Sequence, residues 1–223
     1  MKLKHLNKHP HHGTSTISDG TPLYIYQEEA CYVVIKDIKS KTKKDNKGHI
    51  NILKIPTGDG KTFITEQIVR LILDLDTKNK TIFLCSPLLE VLEDIKVKMI
   101  SLRDSRDDIM LFFDKEERGV DGIRSYDKNH SMDVHKIFVF SDKWAETNHY
   151  FLPEKCDFLG RDESKGATAS SPEEAYHAFR EYNWQGKWYK KLISYGGYVL
   201  LLNATPTDAQ IVSKSFNILD IDI

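Results

Sequence analysis

The stretch Ile52-Leu-Lys-Ile-Pro-Thr-Gly-Asp-Gly-Lys-Thr62 limits what this chain can become more than any other. The apolar positions Ile50, Ile52 and Ile55 read as a strand. They run into Pro56, Thr57, Gly58, Asp59, Gly60, Lys61 and Thr62, and from Ile64 the apolar positions Ile68, Leu71, Ile72 and Leu75 keep the spacing of a helix packed on a sheet. A strand, a glycine-bearing turn and a helix N-terminus together make a cradle for phosphate, because the first helical amides point at an anion. Gly58 and Gly60 allow the backbone to approach phosphate oxygens. In this pattern Lys61 reaches the outer phosphates and the Thr62 hydroxyl ligates Mg²⁺. The full phosphate-loop pattern asks for glycine where Ile55 stands; the shorter form, P-T-G-x-G-K-T, is intact.

The rest of the pattern points to an α/β fold. Short apolar runs at Thr81–Cys85, Ile109–Phe113, Ile137–Phe140, Cys156–Gly160 and Tyr198–Leu202 suit strands buried on both faces of a parallel sheet. Between them lie helical spacings: Tyr26, Ala30, Val33, Val34 and Ile38 in one, and Leu88, Leu92, Ile95 and Met99 in another. A further acidic helix is expected from Pro172 to about Tyr182, and 114–135 is expected to be a charged insertion or long loop. Strands alternating with helices predict a mostly parallel sheet with helices on both faces. Right-handed crossovers then bring every loop that follows a strand to one edge.

Length and charge narrow the class. The 223 residues suffice for one large domain. With 32 Lys plus Arg against 33 Asp plus Glu, the net charge of -1 excludes binding to nucleic acid by bulk positive charge, so any such contact needs a local basic face. The three cysteines, Cys31, Cys85 and Cys156, are far apart in apolar surroundings and read as reduced, buried thiols. With no leader pattern and no apolar run long enough for a bilayer, the expected place is the cytoplasm, away from membranes. Residues 1–20, with His5, His9, His11 and His12, read as a flexible solvated tail, 21–210 as the folded domain, and 211–223 as the start of a linker or a truncated tail.

Nucleotide hydrolysis needs a carboxylate for the metal's shell and a base to orient water. Asp162 and Glu163, at the end of a strand candidate, divide these tasks: Asp162 for Mg²⁺ and Glu163 as general base. The competing pair, Glu173-Glu174, follows Pro172 at a helix start, where acids favour the helix dipole.

With these segments in place, the chain from about Pro22 to Thr207 resembles the first RecA-like domain of superfamily two helicases and translocases, in the D-E-x-H branch that includes restriction-enzyme motor subunits. The I-P-T-G-D-G-K-T stretch is similar to motif I, and Asp157–Lys165 to motif II, with Gly160-Arg161 in its lead-in and Ser164-Lys165 where alanine and histidine are usual. Tyr26-Gln27 resembles the upstream Y-Q element, which implies that Gln27 contacts adenine. Leu84–Leu88 resembles motif Ia, which implies nucleic-acid contacts from Ser86 and from the amides after Pro87. Ser141 stands in a further strand-contacting loop, beside Trp144, which suits either a half-buried position or a stacking platform. Asn203-Ala-Thr-Pro206 resembles motif III, so Asn203 and Thr205 would link the acidic pair to the nucleic acid.

The resemblance implies a three-layer RecA-like P-loop domain that binds ATP and Mg²⁺ and works on nucleic acid, DNA rather than RNA. It also implies a second RecA-like domain, in the same or another chain, that supplies an arginine finger. Only sixteen residues follow Thr207, so this chain reads as a separately encoded or excised first half. The alternatives are a P-loop module completed by self-association, with Arg118 or Arg161 lent by a neighbour, and a degenerate module that binds nucleotide or a partner without motor activity.

Overall fold

The structure, a computed structural model, describes residues 12–16, 20, 22–40, 50–55, 59–128, 133–162, 184–203 and 216–219. Its centre is an eight-stranded sheet. The strands are β3 (Ile50–Lys54), β4 (Thr81–Ser86), β5 (Ile109–Phe113), β6 (Asp121–Gly122), β7 (His135–Ser141), β8 (Phe158–Asp162), β9 (Tyr198–Asn203) and β10 (Phe216–Leu219). They lie in the order β10-β3-β9-β8-β4-β7-β5-β6, with every pairing parallel. A separate antiparallel pair, β1 (His12–Thr16) and β2 (Pro22–Tyr24), precedes it.

The apolar runs become strands because both faces of the sheet are covered. On one face, α1 (Ile25–Ser40), α2 (Lys61–Leu73) and α3 (Leu89–Asp104) bury Ala30, Val34, Ile64, Ile68, Leu92 and Met99 against Leu53, Leu84, Val139 and Leu200. On the other, α4 (Asp142–Asn148) and α5 (Trp184–Ser194) bring Ala145, Tyr189 and Leu192 against Ile52, Phe83, Phe138, Leu159 and Leu201. Successive residues of each strand alternate between these cores, as period two requires. The three layers and the mostly parallel sheet are those read from the sequence.

Several elements differ from that reading. His12–Thr16 is a strand inside the segment expected as a tail, and the Thr16 carbonyl accepts from the Arg70 guanidinium of α2 at 3.0 Å. In 114–135, β6 and a 3-10 turn at Ile123–Ser125 bury Val120 and Ile123 beside β5. Helix α5 and strand β10 lie where neither was expected, the latter pairing with the outer side of β3. Strand β8 begins two residues later than expected and runs through Arg161 to Asp162.

Gly160 is what lets β8 lie flat against its neighbours. A Cβ there would come within 2.9 Å of the Phe158 ring and 3.1 Å of Leu84. The lead-in glycine that departs from the motif II pattern is therefore a packing requirement of this sheet. The Lys-rich loop at 41–47, the expected loop at 166–171 and the expected helix from Pro172 lie outside the described residues.

Candidate nucleotide site

The parallel strands all end on one edge of the sheet, and the five that lead into the candidate residues lie side by side there, in the order β3, β9, β8, β4, β7. The glycine turn follows β3, Asn203 closes β9, Asp162 closes β8, Ser86 closes β4 and Ser141 closes β7. Segments up to 150 residues apart in sequence thus meet on one rim, because parallel strands put all their C-terminal ends together. One strand, β9, separates β3 from β8, so the turn and the acidic strand end stand about 10 Å apart at ~4.8 Å per strand. The ladder puts Leu53, Leu202 and Asp162 level with one another. Along β8, Phe158 packs into the core under α1 to α3 and Leu159 into the opposite one. Period two therefore turns Asp162 to the face of α2, the helix that Lys61 opens.

Gly60 is the N-cap of α2 and adopts φ +73°, in the left-handed region. Its carbonyl starts the helix by accepting from Phe63 and Ile64 N–H at 3.0 and 3.2 Å. The dihedral favours glycine, and a Cβ here would lie 2.5 Å from Gln27 Nε2, so a side chain would push that amide from its place on the turn. Lys61 is 9% exposed and Thr62 half-buried, with Thr65 Oγ1 donating to the Lys61 carbonyl at 3.0 Å. Pro56, Thr57 and Gly58 lie outside the described residues.

Gln27 and Tyr26 grip this turn from α1. Gln27, buried, accepts from Tyr24 N–H at 2.9 Å and donates from Nε2 to the Asp59 carbonyl at 3.0 Å. Those two partners, a donor and an acceptor, fix the orientation of its amide. The Tyr26 hydroxyl donates to the same Asp59 carbonyl at 3.1 Å. Burial, and then the Asp59 carboxylate, push its pKa up to about 12, so it keeps the proton it donates. The sequence offered no sign of Tyr26 as a holder of the turn beyond its place next to Gln27.

At the other end of the site Asp162 is 2% exposed. Glu163, the competing Glu173-Glu174 pair and Thr205 lie outside the described residues, as does the Asn203 side chain; the Asn203 backbone is paired with Lys54 of β3. Ser86 is fully buried and its Oγ accepts from Leu88 N–H at 3.1 Å, which shapes the turn at Pro87 ahead of α3. Ser141 is the N-cap of α4, its Oγ accepting from Trp144 N–H at 3.2 Å. Trp144 is half-buried, with its ring 5.8 Å from that of Phe140, as a core-packed side chain would be. Arg161, considered as a cation lent to a neighbour, is 2% exposed and paired with Asp142, so it is not available for that role. Arg118, on an exposed turn with φ 52°, is paired with Glu93 at 2.8 Å.

The residues present fit a nucleotide with a divalent ion. The left-handed glycine leaves room where a side chain would intrude, a lysine and a threonine open the helix, and a buried carboxylate stands across one strand. Among the described residues no group of three or more His, Cys, Asp or Glu is set to hold a metal. Among the described residues, too, no helix is long and apolar enough to cross a membrane.

Comparison with known proteins agrees with this fold. The family model "Type III restriction enzyme, res subunit" matches residues 21–208. A search of curated proteins found no match. Among solved structures, the chain is similar to a nuclease-deletion mutant of the Type ISP restriction-modification enzyme LlaGI in complex with a DNA substrate mimic (TM-score 0.52, 14% identity, 82% of this chain and 17% of that one). It is also similar to the UvsW helicase from bacteriophage T4 (0.51, 15%, 95% and 63%), and to the Sulfolobus solfataricus SWI2/SNF2 ATPase core in complex with dsDNA (0.50, 15%, 89% and 34%). At these identities the structures speak for the fold, and the chain spans less than two thirds of each. The chain belongs to the family of the Type III restriction enzyme res subunit, and its fold is the RecA-like ATPase domain of superfamily two helicases and translocases.

Proposed function

We propose that this chain is the ATP-binding first motor domain of a nucleic-acid-dependent ATPase, a helicase or translocase, that hydrolyses ATP with Mg²⁺ when a second RecA-like domain completes it. The observation that carries this reading is the rim of the sheet: glycine turn and Lys61 on β3–α2, Asp162 on β8, one strand between them.

Lys61 binds the outer phosphates together with the first amides of α2, and the segment from Pro56 to Gly60 supplies the remaining phosphate contacts in this reading. Gln27 sits beside the turn to meet the adenine edge, exchanging its bond to Asp59 for one to the base. Thr62 and Asp162 would hold Mg²⁺, which supplies charge neutralisation on the phosphates. Glu163 takes the proton of the attacking water. The turn at Ser86-Pro87 and the loop at Ser141 face the nucleic acid, with Asn203 and Thr205 joining them to the acidic pair. DNA is favoured as the track because the LlaGI and SWI2/SNF2 structures are described as DNA complexes. The cytoplasm is the compartment this reading implies. Since an arginine finger is worth roughly 10³–10⁵ in rate, the chain alone should turn over slowly.

Single-turnover hydrolysis of ATP, with Mg²⁺ and with or without single-stranded DNA or RNA, tests the reading. The expected result is slow, Mg²⁺-dependent hydrolysis that DNA accelerates and that does not change on dilution. Hydrolysis that vanishes on dilution points to self-association, and nucleotide binding with no turnover under any condition points to a degenerate module.

A further inference from the structure

Arg161 is a charged residue in the interior of a parallel strand, one position before Asp162. Its side chain points away from the nucleotide face, into the core under α4 and α5, where it is 2% exposed. There its guanidinium meets the Asp142 carboxylate: Nε donates to Oδ2 at 3.0 Å and to Oδ1 at 3.3 Å, and the terminal amino group makes a second bond to Oδ2. Among the described residues, Cys85 and Tyr189 also lie close to the pair. Burial pushes the Cys85 thiol up, with Asp142 adding to it, and burial likewise pushes up the Tyr189 phenol. Among the described residues, Asp142 is the carboxylate paired with Arg161.

The pair is not explained by stability. A buried ion pair seldom does better than apolar side chains of the same size, because two ions must be stripped of water. A core lined by Phe83, Phe140 and Leu159 would accept an apolar residue at 161. What the pair does is mechanical. Arg161 lies beside Cys85 of β4, and Cys85 lies beside Phe140 of β7. Asp142 follows β7 directly, so the ion pair reaches across β4 and ties the acidic end of β8 to the first turn of α4. A second tie reaches the same loop from α3. Ser141 N–H donates to Asp114 Oδ2 at 3.3 Å, and Asp114 Oδ1 accepts from the buried Lys96 at 3.0 Å. The loop at Ser141 is therefore held between the helix that follows Ser86-Pro87 and the strand that ends in Asp162.

We propose that Arg161 and Asp142 are positioning residues that make the acidic end of β8 and the Ser141 loop move as one body, so that a nucleic-acid strand held at the loop and a nucleotide held at the glycine turn alter each other's affinity. The inference rests on the function proposed above and adds the route by which its two sites communicate. Coupling of this kind ordinarily amounts to about 5–150-fold in affinity, and it is reciprocal.

The test replaces both ions at once, Arg161→Met with Asp142→Leu, so that neither member of the pair is left buried without the other. The double variant is expected to melt no lower than the wild type and to bind a non-hydrolysable ATP analogue with Mg²⁺ within about threefold of it. Affinity for a fluorescent single-stranded DNA oligonucleotide is then measured with and without the analogue. The wild type is expected to show at least about a fivefold difference, and the double variant less than about twofold. A double variant that keeps the wild-type ratio overturns the proposal, as does one that melts far below the wild type, since the pair then serves the fold alone. A wild type that binds both ligands with no coupling defeats this inference and leaves the proposed function standing. A wild type that binds no nucleotide defeats both.

Discussion

Lys61→Ala is expected to weaken ATP binding by at least about 100-fold while the chain still folds. The first half follows from charge-assisted hydrogen bonds to phosphate, each worth ~1.5–3 kcal/mol, of which a lysine amine can make two. The second follows from position. Lys61 is the first residue of α2, where alanine is the best helix former, and the Gly60 carbonyl and Thr65 hydroxyl that frame this turn engage only backbone partners. Calorimetric titration of ATP with Mg²⁺, alongside a melting curve, checks both. Normal retention of ATP by the folded variant would count against the glycine turn as the phosphate site.

Glu163→Gln is expected to leave nucleotide affinity within about threefold and to cut single-turnover hydrolysis by roughly 10²–10⁴, the usual worth of a positioned general base. The amide keeps the shape and loses the ability to take a proton. Glu173→Gln serves as the comparison and is expected to change neither quantity, because the sequence after Pro172 reads as a helix start, where an acid acts on the helix dipole. If Glu173→Gln abolishes turnover while Glu163→Gln does not, the acidic pair at the end of β8 is the wrong one. Rates measured under saturating ATP and the same oligonucleotide for both variants decide between them.

The parts of the fold legible in the sequence are those where one physical signal dominates. Strands β4, β5, β7 and β9 are runs of apolar side chains that a sheet covered on both faces demands, and their positions agree with the structure to within two residues at either end. Helix α2 is equally plain, since Ile64, Ile68 and Ile72 all point into the core. The order of strand β3, glycine cap and helix α2 is legible because the apolar spacing changes from strand-like to helical across Gly60.

Where polar residues do structural work, the pattern misleads. Arg161 and Asp162 look like loop residues, yet they complete β8, because Asp142 on another element neutralises the buried guanidinium. In α1 the apolar spacing picks out Ala30, Val33, Val34 and Ile38, all in or packed against the core, but it misses Gln27, Cys31 and Ile35, which share the buried face, and it includes the half-buried Tyr26. The helix is turned toward Gln27 because its amide reaches the Asp59 carbonyl, a partner 32 residues away that no local pattern reveals. Helix α5 was hidden by Gly186 and a run of lysines, although Tyr189, Leu192 and Ile193 give it a buried face. Strand β10 is only four residues long and owes its place to pairing with β3 rather than to its own composition. The motif resemblance points Ser86 and Ser141 at a ligand outside the chain, while their hydroxyls serve the turns that hold them in place.

The central claim is that the glycine turn after β3 and the acidic end of β8 are two halves of one nucleotide site. The most direct measurement is a crystal structure of the chain with Mg²⁺ and a non-hydrolysable ATP analogue. The account predicts phosphates at the N-terminus of α2 with Lys61 upon them, and a metal shared between the phosphates, Thr62 and the Asp162 side of the cleft. A nucleotide bound away from Gly60 and Lys61, or a metal whose shell, water included, does not extend to Asp162, would contradict it.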